Sequence, residues 1–166
     1  MTLKRCFPPV VDGNTRVLVL GSLPGEVSLA HNQYYAHKQN KFWFLVGDVI
    51  ERDLVGMDYQ DRLDTLLGHC IGLWDVVAKA QRVGSLDSRI RNHASNDLVA
   101  LVETLPNLIA IAFNGGTAAK IGMRALGEKA DRYQFIRLPS SSPAYAVVSY
   151  QEKLADWCRL REYLAG

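Results

Sequence analysis

The sequence predicts an α/β fold with three layers, in which helices cover both faces of a central, mainly parallel sheet of four strands. Three observations predict it: strand-like and helix-like segments alternate, the strand-like segments are largely apolar, and several end abruptly in turn-forming residues. The chain has 166 residues, of which 48% are hydrophobic and 22% are charged. Because this length suits one well-buried core, we expect a single domain over residues 1–166.

The first half of the chain contains one clear strand and two helices. Residues 17–20 form a short apolar run suited to burial in a parallel sheet. Residues 40–52 carry apolar side chains at helical spacing, and a second helix is expected at about residues 59–67. Residues 71–77 are ambiguous, because they fit either a strand throughout or a short strand that ends at Asp75.

Capping and stop signals delimit the next elements. Asn96-Asp97 is typical of a helix cap, and Pro106 lies just beyond the expected end of that helix. Residues 108–113 form the clearest strand. Asn114-Gly115-Gly116 follows this strand, and the next helix is expected to continue to about Leu126.

A strand and a helix complete the predicted fold. Residues 133–138 have the pattern of a strand. Ser149 and Glu152 have the spacing of a capping box at the start of a helix. The apolar residues that follow share one helical face, and they are Leu154, Trp157, Leu160 and Leu164.

The composition indicates a soluble intracellular protein. The N-terminus lacks the apolar core of a signal peptide, and no run of residues approaches the length of a transmembrane helix. Cys6, Cys70 and Cys158 are too far apart to suggest a disulfide framework, so we expect reduced, mostly buried thiols. Since no Cys-x-x-Cys pair is present, we expect no metal and no other cofactor.

The charge of the chain identifies no partner by itself. The formal net charge is only +2. Cationic residues recur locally at Arg82, Arg89 and Arg91, and again at Lys38 and Lys41. Such groups fit either a basic face or a scattered, solvated surface.

Small or polar residues stand where three predicted strands end. The strand over residues 17–20 continues into Gly21, the strand over residues 108–113 into Asn114, and the last strand into Pro139. Right-handed crossovers place these strand ends on one edge of the sheet. Because open α/β sheets bind ligands in the crevice at that edge, we expect the functional site there.

Two of these strand ends have both a functional and a structural interpretation. The backbone of Gly21–Gly25 can approach a ligand closely, but the loop is neither a Walker loop nor a dinucleotide fingerprint, and it also fits a plain turn. The amide of Asn114 both donates and accepts, which suits the edge of a nucleobase. It also fits a cap on the helix that starts near Thr117.

The third strand end and a basic segment are candidate DNA contacts. Ser140, Ser141 and Ser142 lie between two prolines, so they can bind phosphate groups or form an ordinary solvent-exposed loop. His37 and Lys38 form a polar, basic approach to the first long helix. We expect them to lie at the surface and contact phosphate, and assistance in catalysis is the alternative role of His37.

An aromatic cluster surrounds the start of the same helix. Phe42 and Trp43 are most simply explained as core residues. Tyr34 and Tyr35 both lie before the helix, where the ring of one of them can stack on a planar base. Asn40 is at or near the helix start, where an N-cap is its ordinary role.

Six ordered motifs carry a family resemblance, although no single one is specific. They are Gly21-Ser-Leu-Pro-Gly25, Tyr34-Tyr-Ala-His-Lys-Gln-Asn-Lys-Phe-Trp43, Gly72-Leu-Trp-Asp-Val76, Gly84-Ser-Leu-Asp-Ser88, Phe113-Asn-Gly115 and Leu138-Pro-Ser-Ser-Ser-Pro143. As a set, from about residue 17 to residue 145, they resemble the uracil-DNA glycosylase superfamily. The closest branch is that of the hypoxanthine-DNA (deoxyinosine) glycosylases.

The resemblance assigns the water-positioning role to Asn40. The mismatch-specific branch uses the Asn of Gly-x-Asn-Pro-Gly, but Leu23 stands at that place here, and an apolar side chain cannot orient water. The deoxyinosine branch uses the Asn of His-x-x-Asn-x-Phe-Trp, which corresponds to Asn40. The chain also lacks the four cysteines of the iron–sulfur members.

The resemblance implies hydrolysis of the N-glycosidic bond of hypoxanthine or uracil in single- or double-stranded DNA, which leaves an abasic site. It implies a base pocket formed by Ser22, Leu23, Gly25, Tyr35, Phe42 and Asn114. Asp75 is a second catalytic candidate, as a base or a stabiliser of the sugar cation, or else a structural residue at a strand end. We expect a monomer without lyase activity, in the cytoplasm at the nucleoid.

Two other functions fit the same residues. A module that binds damaged or single-stranded nucleic acid without cleaving it would show DNA affinity but no base release, and Leu23 favours this alternative. An enzyme acting on a free nucleoside would cleave deoxyinosine itself but not oligonucleotides, and the near-neutral net charge favours that one.

Overall fold

The computed structural model describes residues 2–82, 90–129 and 131–164, so the Gly84–Ser88 motif and Arg89 lie outside the described residues. The strands are β1 (Thr2–Arg5), β2 (Val17–Gly21), β3 (Ile71–Asp75), β4 (Val77–Arg82), β5 (Ile90–Ser95), β6 (Ala110–Asn114) and β7 (Gln134–Leu138). The helices are α1 (Glu26–His31), α2 (Phe42–Ile50), α3 (Tyr59–Gly68), α4 (Leu98–Glu103), α5 (Gly116–Ala125), α6 (Tyr150–Trp157) and α7 (Arg161–Leu164).

The central sheet has four parallel strands in the order β3-β2-β6-β7. From β2 the chain moves outward to β3 and later returns to the other side of β2 to form β6. The order therefore reverses between β2 and β6, and this is the point where open sheets bind ligands beyond the carboxyl ends of their strands. The predicted α/β class, with four parallel strands flanked by helices, is confirmed.

Each face of this sheet is covered by its own apolar core. All residues of β2 are buried, and alternate side chains point to opposite faces. Val17 and Val19 belong to one core with Phe42 of α2 and Trp157 of α6. The intervening leucines pack against α4 and α5 on the other face. Burial on both faces explains why β2 is continuously apolar rather than alternating.

Several predicted boundaries agree with the structure. Asp97 caps α4 by accepting a hydrogen bond from the backbone N–H of Ala100, and Ser149 and Glu152 form the predicted capping box of α6. The ambiguous segment resolves into the shorter strand, because β3 ends at Asp75. The helix predicted for residues 40–52 is shorter, since it begins at Phe42 and ends before Glu51, whose φ of 59° is left-handed.

A second sheet was not predicted. Strands β1, β4 and β5 form an antiparallel sheet in the order β1-β4-β5. It continues directly from the central sheet: the N–H groups of Val76 and Val77 donate to the carbonyls of Gly21 and Ser22 before β4 diverges. The sequence analysis also missed α1, which has only six residues.

The described residues bear on two further expectations, one about membrane-spanning helices and one about the cysteines. None of their helices has both the length and the apolar character needed to cross a membrane. Cys6, Cys70 and Cys158 are free thiols of intermediate burial. Each lies near the edge of an element, where side chains are only partly covered.

Close packing of α5 on the sheet predicts that Gly122→Ala destabilises the protein. A Cβ at Gly122 would lie 2.4 Å from Cε1 of Phe113, a side chain with no exposed surface. We expect the free energy of unfolding to fall by about 1–3 kcal/mol in denaturant titrations, because a buried ring has no space to move. Gly116→Ala, in the same helix with nothing within 4 Å of the added Cβ, is the control and should be neutral or slightly stabilising. Equal losses in both variants would contradict the packing argument.

Candidate active site

The ends of β2 and β3 bring two side-chain oxygens to one glycine. Gly21 is the register partner of Asp75. A Cβ at Gly21 would lie 2.7 Å from both Oδ1 of Asp75 and the hydroxyl oxygen of Tyr35. Both oxygens therefore occupy the space that a side chain at this position would need, and only glycine leaves room for them. This group of Gly21, Tyr35 and Asp75 is called the carboxyl-edge cluster below.

The backbone of Tyr35 is held in a strained conformation. Its φ of 53° is left-handed, which is costly for a residue with a side chain. The neighbouring peptide groups are fixed: the N–H of Tyr34 donates to the Tyr59 hydroxyl (2.9 Å), and the carbonyl of Tyr34 accepts from Nε1 of Trp43 (3.2 Å). The N–H of the residue after Tyr35 donates to Oγ of Ser28 (3.0 Å). These bonds hold the Tyr35 ring in a defined position.

Tyr35 lies directly over Phe42. The ring centroids are 3.9 Å apart and the planes differ by 12°, which is a stacked arrangement. Phe42 has no exposed surface, whereas Tyr35 is half-buried. Tyr35 covers Phe42 in this structure, so contact between Phe42 and a base stays a prediction. Phe42 supports the Tyr35 ring from below.

Asp75 is a buried acid that influences its surroundings. The residue is only 3% exposed, and its backbone carbonyl accepts a hydrogen bond from Nδ2 of Asn96 (2.6 Å). Burial raises the pKa of Tyr34 well above its usual range, and the negative charge of Asp75 adds to this effect. Burial likewise raises the pKa of the Cys6 thiol, with a smaller contribution from Asp75. These neighbours therefore remain protonated and neutral.

Asn40 lies at the turn that leads into α2. Its Oδ1 accepts a hydrogen bond from the backbone N–H of Phe42 (3.0 Å), so the amide satisfies the first donor of the helix, as an N-cap would. Its own backbone N–H donates to the carbonyl of His37 (3.0 Å). An amide oxygen has two lone pairs, so the helix contact leaves acceptor capacity for another group.

Asn114 and Ser141 form a reciprocal pair. Nδ2 of Asn114 donates to Oγ of Ser141, and the backbone N–H of Ser141 donates to Oδ1 of Asn114, each at 2.9 Å. Asn114 is 7% exposed and Ser141 is 1% exposed. Its side chain is buried against Asn114, so contact between Ser141 and DNA phosphate stays a prediction. Asn114 keeps one N–H and one lone pair for a ligand.

The loop of Ser140–Ser142 is fixed by several elements. The carbonyl of Pro139 accepts from Nε1 of Trp157 (3.0 Å), and the carbonyl of Ser141 accepts from the backbone N–H of Lys41 (3.0 Å). Nζ of Lys153 donates to the carbonyl of Ser142 (3.3 Å). Ser140 and Ser142 are half-buried, so they remain accessible to a ligand.

Sequence analysis did not identify Lys153 as part of this region. It is only 5% exposed, and burial lowers its pKa. The available signal was its position four residues before Trp157, which places a charged residue on the apolar face of α6. A lysine at such a place needs a polar partner, which the serine loop supplies.

The loop after β2 is largely buried. Leu23 is 6% exposed and belongs to the apolar core on the α5 side of the sheet, so contact between its side chain and a base stays a prediction. Ser22 is also buried, and Gly25 is half-buried at the N-terminus of α1.

The basic segment before α2 lies at the surface, as expected. His37 and Lys38 are exposed. Nδ1 of His37 accepts a hydrogen bond from the backbone N–H of Gln39 (3.1 Å), an arrangement that requires an unprotonated Nδ1. Because Asn40 follows within this turn, His37 and Lys38 lie beside the predicted water-positioning residue.

A cavity at the opposite edge of the sheet contains none of the predicted site residues. It is shallow, measures about 630 Å³ and is lined by residues that include Asp12, Arg16, Asp64 and Cys70. Arg16 and Cys70 precede β2 and β3, so this cavity lies at the amino ends of the strands. Its position makes it a poor candidate for the site, since ligands of open sheets bind at the carboxyl ends.

Comparisons with known proteins agree on one family. The family model described as the uracil DNA glycosylase superfamily matches residues 8–164. Two curated proteins named hypoxanthine DNA glycosylase are 44% identical to this chain. The one from Methanosarcina barkeri (strain Fusaro) aligns over 126 residues, 75% of this chain and 80% of the relative. The one from Methanosarcina acetivorans aligns over 144 residues, 86% of this chain and 88% of the relative.

A solved structure has the same fold. A solution NMR structure of a protein from Methanosarcina acetivorans superposes with a TM-score of 0.86 at 40% sequence identity. The superposition covers 99% of this chain and all of the other chain. The similarity therefore includes the whole described fold, with the antiparallel sheet as well as the central one.

The reciprocal pair predicts that Asn114→Ala is strongly destabilising. The substitution leaves the buried N–H of Ser141 without its acceptor, so we expect the free energy of unfolding to fall by about 1–3 kcal/mol. Asn107→Ala is the control, because Nδ2 of Asn107 donates to the carbonyl of Gly13 (2.8 Å) at an exposed position. There we expect a loss of no more than about 1 kcal/mol. Denaturant titrations measure both values, and a larger loss in the control would contradict the structural role of the pair.

Proposed function

The chain belongs to the uracil DNA glycosylase superfamily and is a DNA repair glycosylase of deaminated bases, and we propose that the base it releases is hypoxanthine. The observation that carries this proposal is the carboxyl-edge cluster, in which a buried carboxylate stands beside a stacked aromatic ring. Uracil is the second substrate that the same cluster suits. We propose further that the chain acts as a single-domain monomer on nucleoid DNA, in single or double strands.

Asp75 is the residue that reads the base. A carboxylate accepts hydrogen bonds but cannot donate them. Hypoxanthine carries an N–H at N1, where adenine has only a lone pair, and uracil carries a comparable N–H at N3. An acceptor fixed at the end of β3 therefore favours the deaminated bases and repels adenine. This role competes with that of a general base, and the substitution described below separates the two.

Tyr35 provides the surface on which the base stacks. Its ring is held from behind by Phe42 and from the side by the fixed peptides around it. A rigidly held aromatic ring suits a planar ligand, and base–aromatic stacking contributes about 1–3 kcal/mol. The strain at Tyr35 supports this role, since left-handed residues with side chains concentrate at functional sites.

Asn40 positions the attacking water. The hydrogen bond from the N–H of Phe42 fixes the orientation of its amide. The remaining lone pair of Oδ1 then accepts a hydrogen bond from a water molecule and directs the water toward C1′ of the sugar. Because an amide is not basic, it orients the water without deprotonating it. This suits a reaction in which the glycosidic bond breaks before the new bond forms.

The reaction forms a base anion, which leaves, and a cationic sugar, and both need stabilisation. As the bond from C1′ to the base breaks, its electron pair moves to the base and the sugar becomes oxocarbenium-like. We assign stabilisation of the base anion to backbone N–H groups near Ser22–Gly25, a loop in which Pro24 has no N–H to donate. Asn114 contacts the base edge with its remaining N–H. The water oxygen bonds to C1′, and the proton that it loses is taken up by the departed base anion, which leaves as the neutral base. The product is an abasic site.

Phosphate contacts come from exposed groups around the cluster. His37 and Lys38 lie beside Asn40, and Ser140 and Ser142 carry hydroxyl groups near the start of α2. These contacts hold the strand while the lesion is extruded, which costs less for a weakly paired base.

The central test is a base-release assay. The protein is incubated with oligonucleotides containing deoxyinosine, deoxyuridine or deoxyadenosine, and abasic sites are then cleaved with alkali. We expect strand cleavage at deoxyinosine, less at deoxyuridine and none at deoxyadenosine. Folded protein that binds DNA without cleavage would support a binding module, and cleavage of free deoxyinosine alone would support a nucleoside hydrolase. Either result would overturn the proposal.

Asn40→Ala should abolish most of the activity at little cost in stability. Loss of the oriented water predicts a fall in the single-turnover rate of at least about 10²-fold. The lost contact to the start of α2 predicts a fall of about 0.5–2 kcal/mol in the free energy of unfolding. Ser149→Ala is the matched control, because it removes the cap of α6 with a comparable loss of stability. A comparable rate loss in both variants would refute the assigned role.

Asp75→Asn should weaken discrimination between hypoxanthine and adenine. An amide can present an N–H toward the base, so the variant loses a hydrogen bond from the base to a charged acceptor. For duplexes that contain hypoxanthine on a glycosidic bond that cannot be cleaved, we therefore expect the affinity of the variant to be about 10- to 100-fold lower than that of the wild-type protein. Affinity for matched adenine duplexes should change little. If Asp75 is instead a general base, cleavage falls while the affinity ratio of the two duplexes stays the same.

A further inference from the structure

One buried cation has no part in the mechanism described above. Lys153 of α6 is only 5% exposed, although lysine is almost never buried unless it is paired. Its Nζ donates to the carbonyl of Ser142 (3.3 Å) and lies over the ring of Tyr145, 5.5 Å from the ring centroid. Both of these partners are electrically neutral. Lys153 therefore brings a positive charge to the loop of Ser140–Ser142 that these contacts do not balance.

The described residues provide no carboxylate for this charge. Within the part of the chain that the structure describes, no ion pair includes Lys153. Its sequence neighbour Glu152 uses Oε1 to accept a hydrogen bond from the backbone N–H of Ser149 (3.2 Å), as part of the capping box of α6. A buried ammonium group with neutral partners keeps much of its desolvation cost, and a nearby anion lowers that cost. The environment of Lys153 therefore suits an anionic ligand.

The same loop presents two hydroxyl donors. Oγ of Ser140 accepts from the backbone N–H of Ser142 (3.1 Å), and Oγ of Ser142 accepts from the backbone N–H of Ala144 (3.2 Å). Each hydroxyl group therefore keeps its own proton for donation to a ligand. Ser142 is half-buried and Tyr145 is 40% exposed, so a ligand can reach this part of the loop. Hydroxyl and ammonium donors together are typical of contacts to DNA phosphate.

Helix α6 fixes the loop relative to Lys153. The carbonyl of Ser142 accepts from the backbone N–H of Tyr145 (3.1 Å) as well as from Nζ of Lys153. The carbonyl of Pro139 accepts from Nε1 of Trp157 (3.0 Å), which lies one helical turn after Lys153. One face of α6 thus holds both ends of the loop. The ammonium group and the hydroxyl groups are therefore held in one arrangement, as a site for a single ligand requires.

We propose that Lys153 is a further DNA-positioning residue, whose ammonium group supplies the charge that holds one backbone phosphate at the hydroxyl groups of Ser140 and Ser142. The proposal rests on the proposed function, since the phosphate belongs to the DNA strand that carries the extruded nucleotide. The hydroxyl groups donate to the phosphate oxygens, and the buried charge attracts the phosphate through space. Lys153 touches no reacting atom, so it positions the substrate and takes no part in bond cleavage.

The proposal is tested by removing the charge from either partner. Lys153→Met keeps most of the side-chain volume but removes the ammonium group. In the DNA, a neutral methylphosphonate replaces one backbone phosphate at a time around a deoxyinosine analogue whose glycosidic bond cannot be cleaved. The Kd is measured for each combination of protein and duplex. If the two charges interact, their removal is not additive, whereas a purely structural role of Lys153 gives additive losses.

One phosphate position should depend on Lys153. There we expect the methylphosphonate to lower the affinity of the wild-type protein about 10-fold, as for the loss of a partly buried charge pair, and that of Lys153→Met less than about 3-fold. Lys129→Met is the control and should respond as the wild-type protein does, because Nζ of Lys129 is already paired with Oε1 of Glu103 (3.0 Å). Equal losses in wild-type protein and Lys153→Met at every position would overturn the proposal, as would the absence of any loss in the wild-type protein.

A second measurement does not depend on the folding of a variant. The Nζ signal of Lys153 is followed by NMR in wild-type protein with ¹⁵N-labelled lysine. Because a phosphate changes the electrostatic environment of the ammonium group, we expect this signal to shift when the uncleavable duplex binds. The shift should disappear with a methylphosphonate at one of the positions to which the wild-type affinity is sensitive. A signal that is the same with every duplex would overturn the proposal.

The base-release assay separates this inference from the proposed function. If deoxyinosine is cleaved but the charge of Lys153 does not couple to any phosphate, the inference fails and the proposed function stands. If the charges couple but no base is released, the proposed function fails and the phosphate site stands.

Discussion

The register of β2 with its two neighbours is the constraint on which the site depends. β2 is bonded in parallel to β3 on one side and to β6 on the other, so the three strands reach the same edge together. This register places Asp75 opposite Gly21, and it places Asn114 one step beyond the last paired residue of β2. A shift by one residue would exchange the two apolar cores and also separate the acid from its glycine. Folding and chemistry therefore require the same alignment.

The residues around this edge are fixed mainly by side chains that bond to backbone groups. Asn114, together with Trp157 and Lys153 of α6, forms hydrogen bonds to backbone groups of the loop of Ser140–Ser142 or of Pro139 before it. The hydroxyl of Tyr59 accepts a hydrogen bond from the backbone N–H of Tyr34. Such bonds determine loop positions that no helix or strand would define. They explain why irregular segments form a site with a defined geometry. The aromatic stack of Tyr35 on Phe42 then links the site to the core.

The central sheet was predictable because its signals are local. Continuous apolar runs that end in Gly21 or Asn114 indicate parallel strands, and caps such as Asp97 mark helix starts. The antiparallel sheet was missed because β1 pairs with β4 about 75 residues away, and no local pattern announces such a pair. The helix α1 is too short to show a period.

The residue types of the candidate site could be predicted from the sequence, but the burial of its residues could not. Residue types indicated which side chains could act, and the motifs grouped Asn40, Asp75 and Tyr35 as site residues. Leu23, Phe42 and Ser141 were assigned to ligand contact, and tertiary packing, which no local pattern reveals, buries all three. Their contact with a ligand stays a prediction. The left-handed backbone of Tyr35 was equally invisible, since tyrosine does not signal it as glycine would.

Gly21 has a consequence for how this enzyme can diverge. Two oxygens crowd the space where its Cβ would lie, so even a methyl group displaces one of them. Descendants that exchange one substrate for another must therefore do so through the acid or the ring, while the glycine between them stays as it is. Gly21, the smallest residue of the site, is therefore the one that we expect to tolerate substitution least.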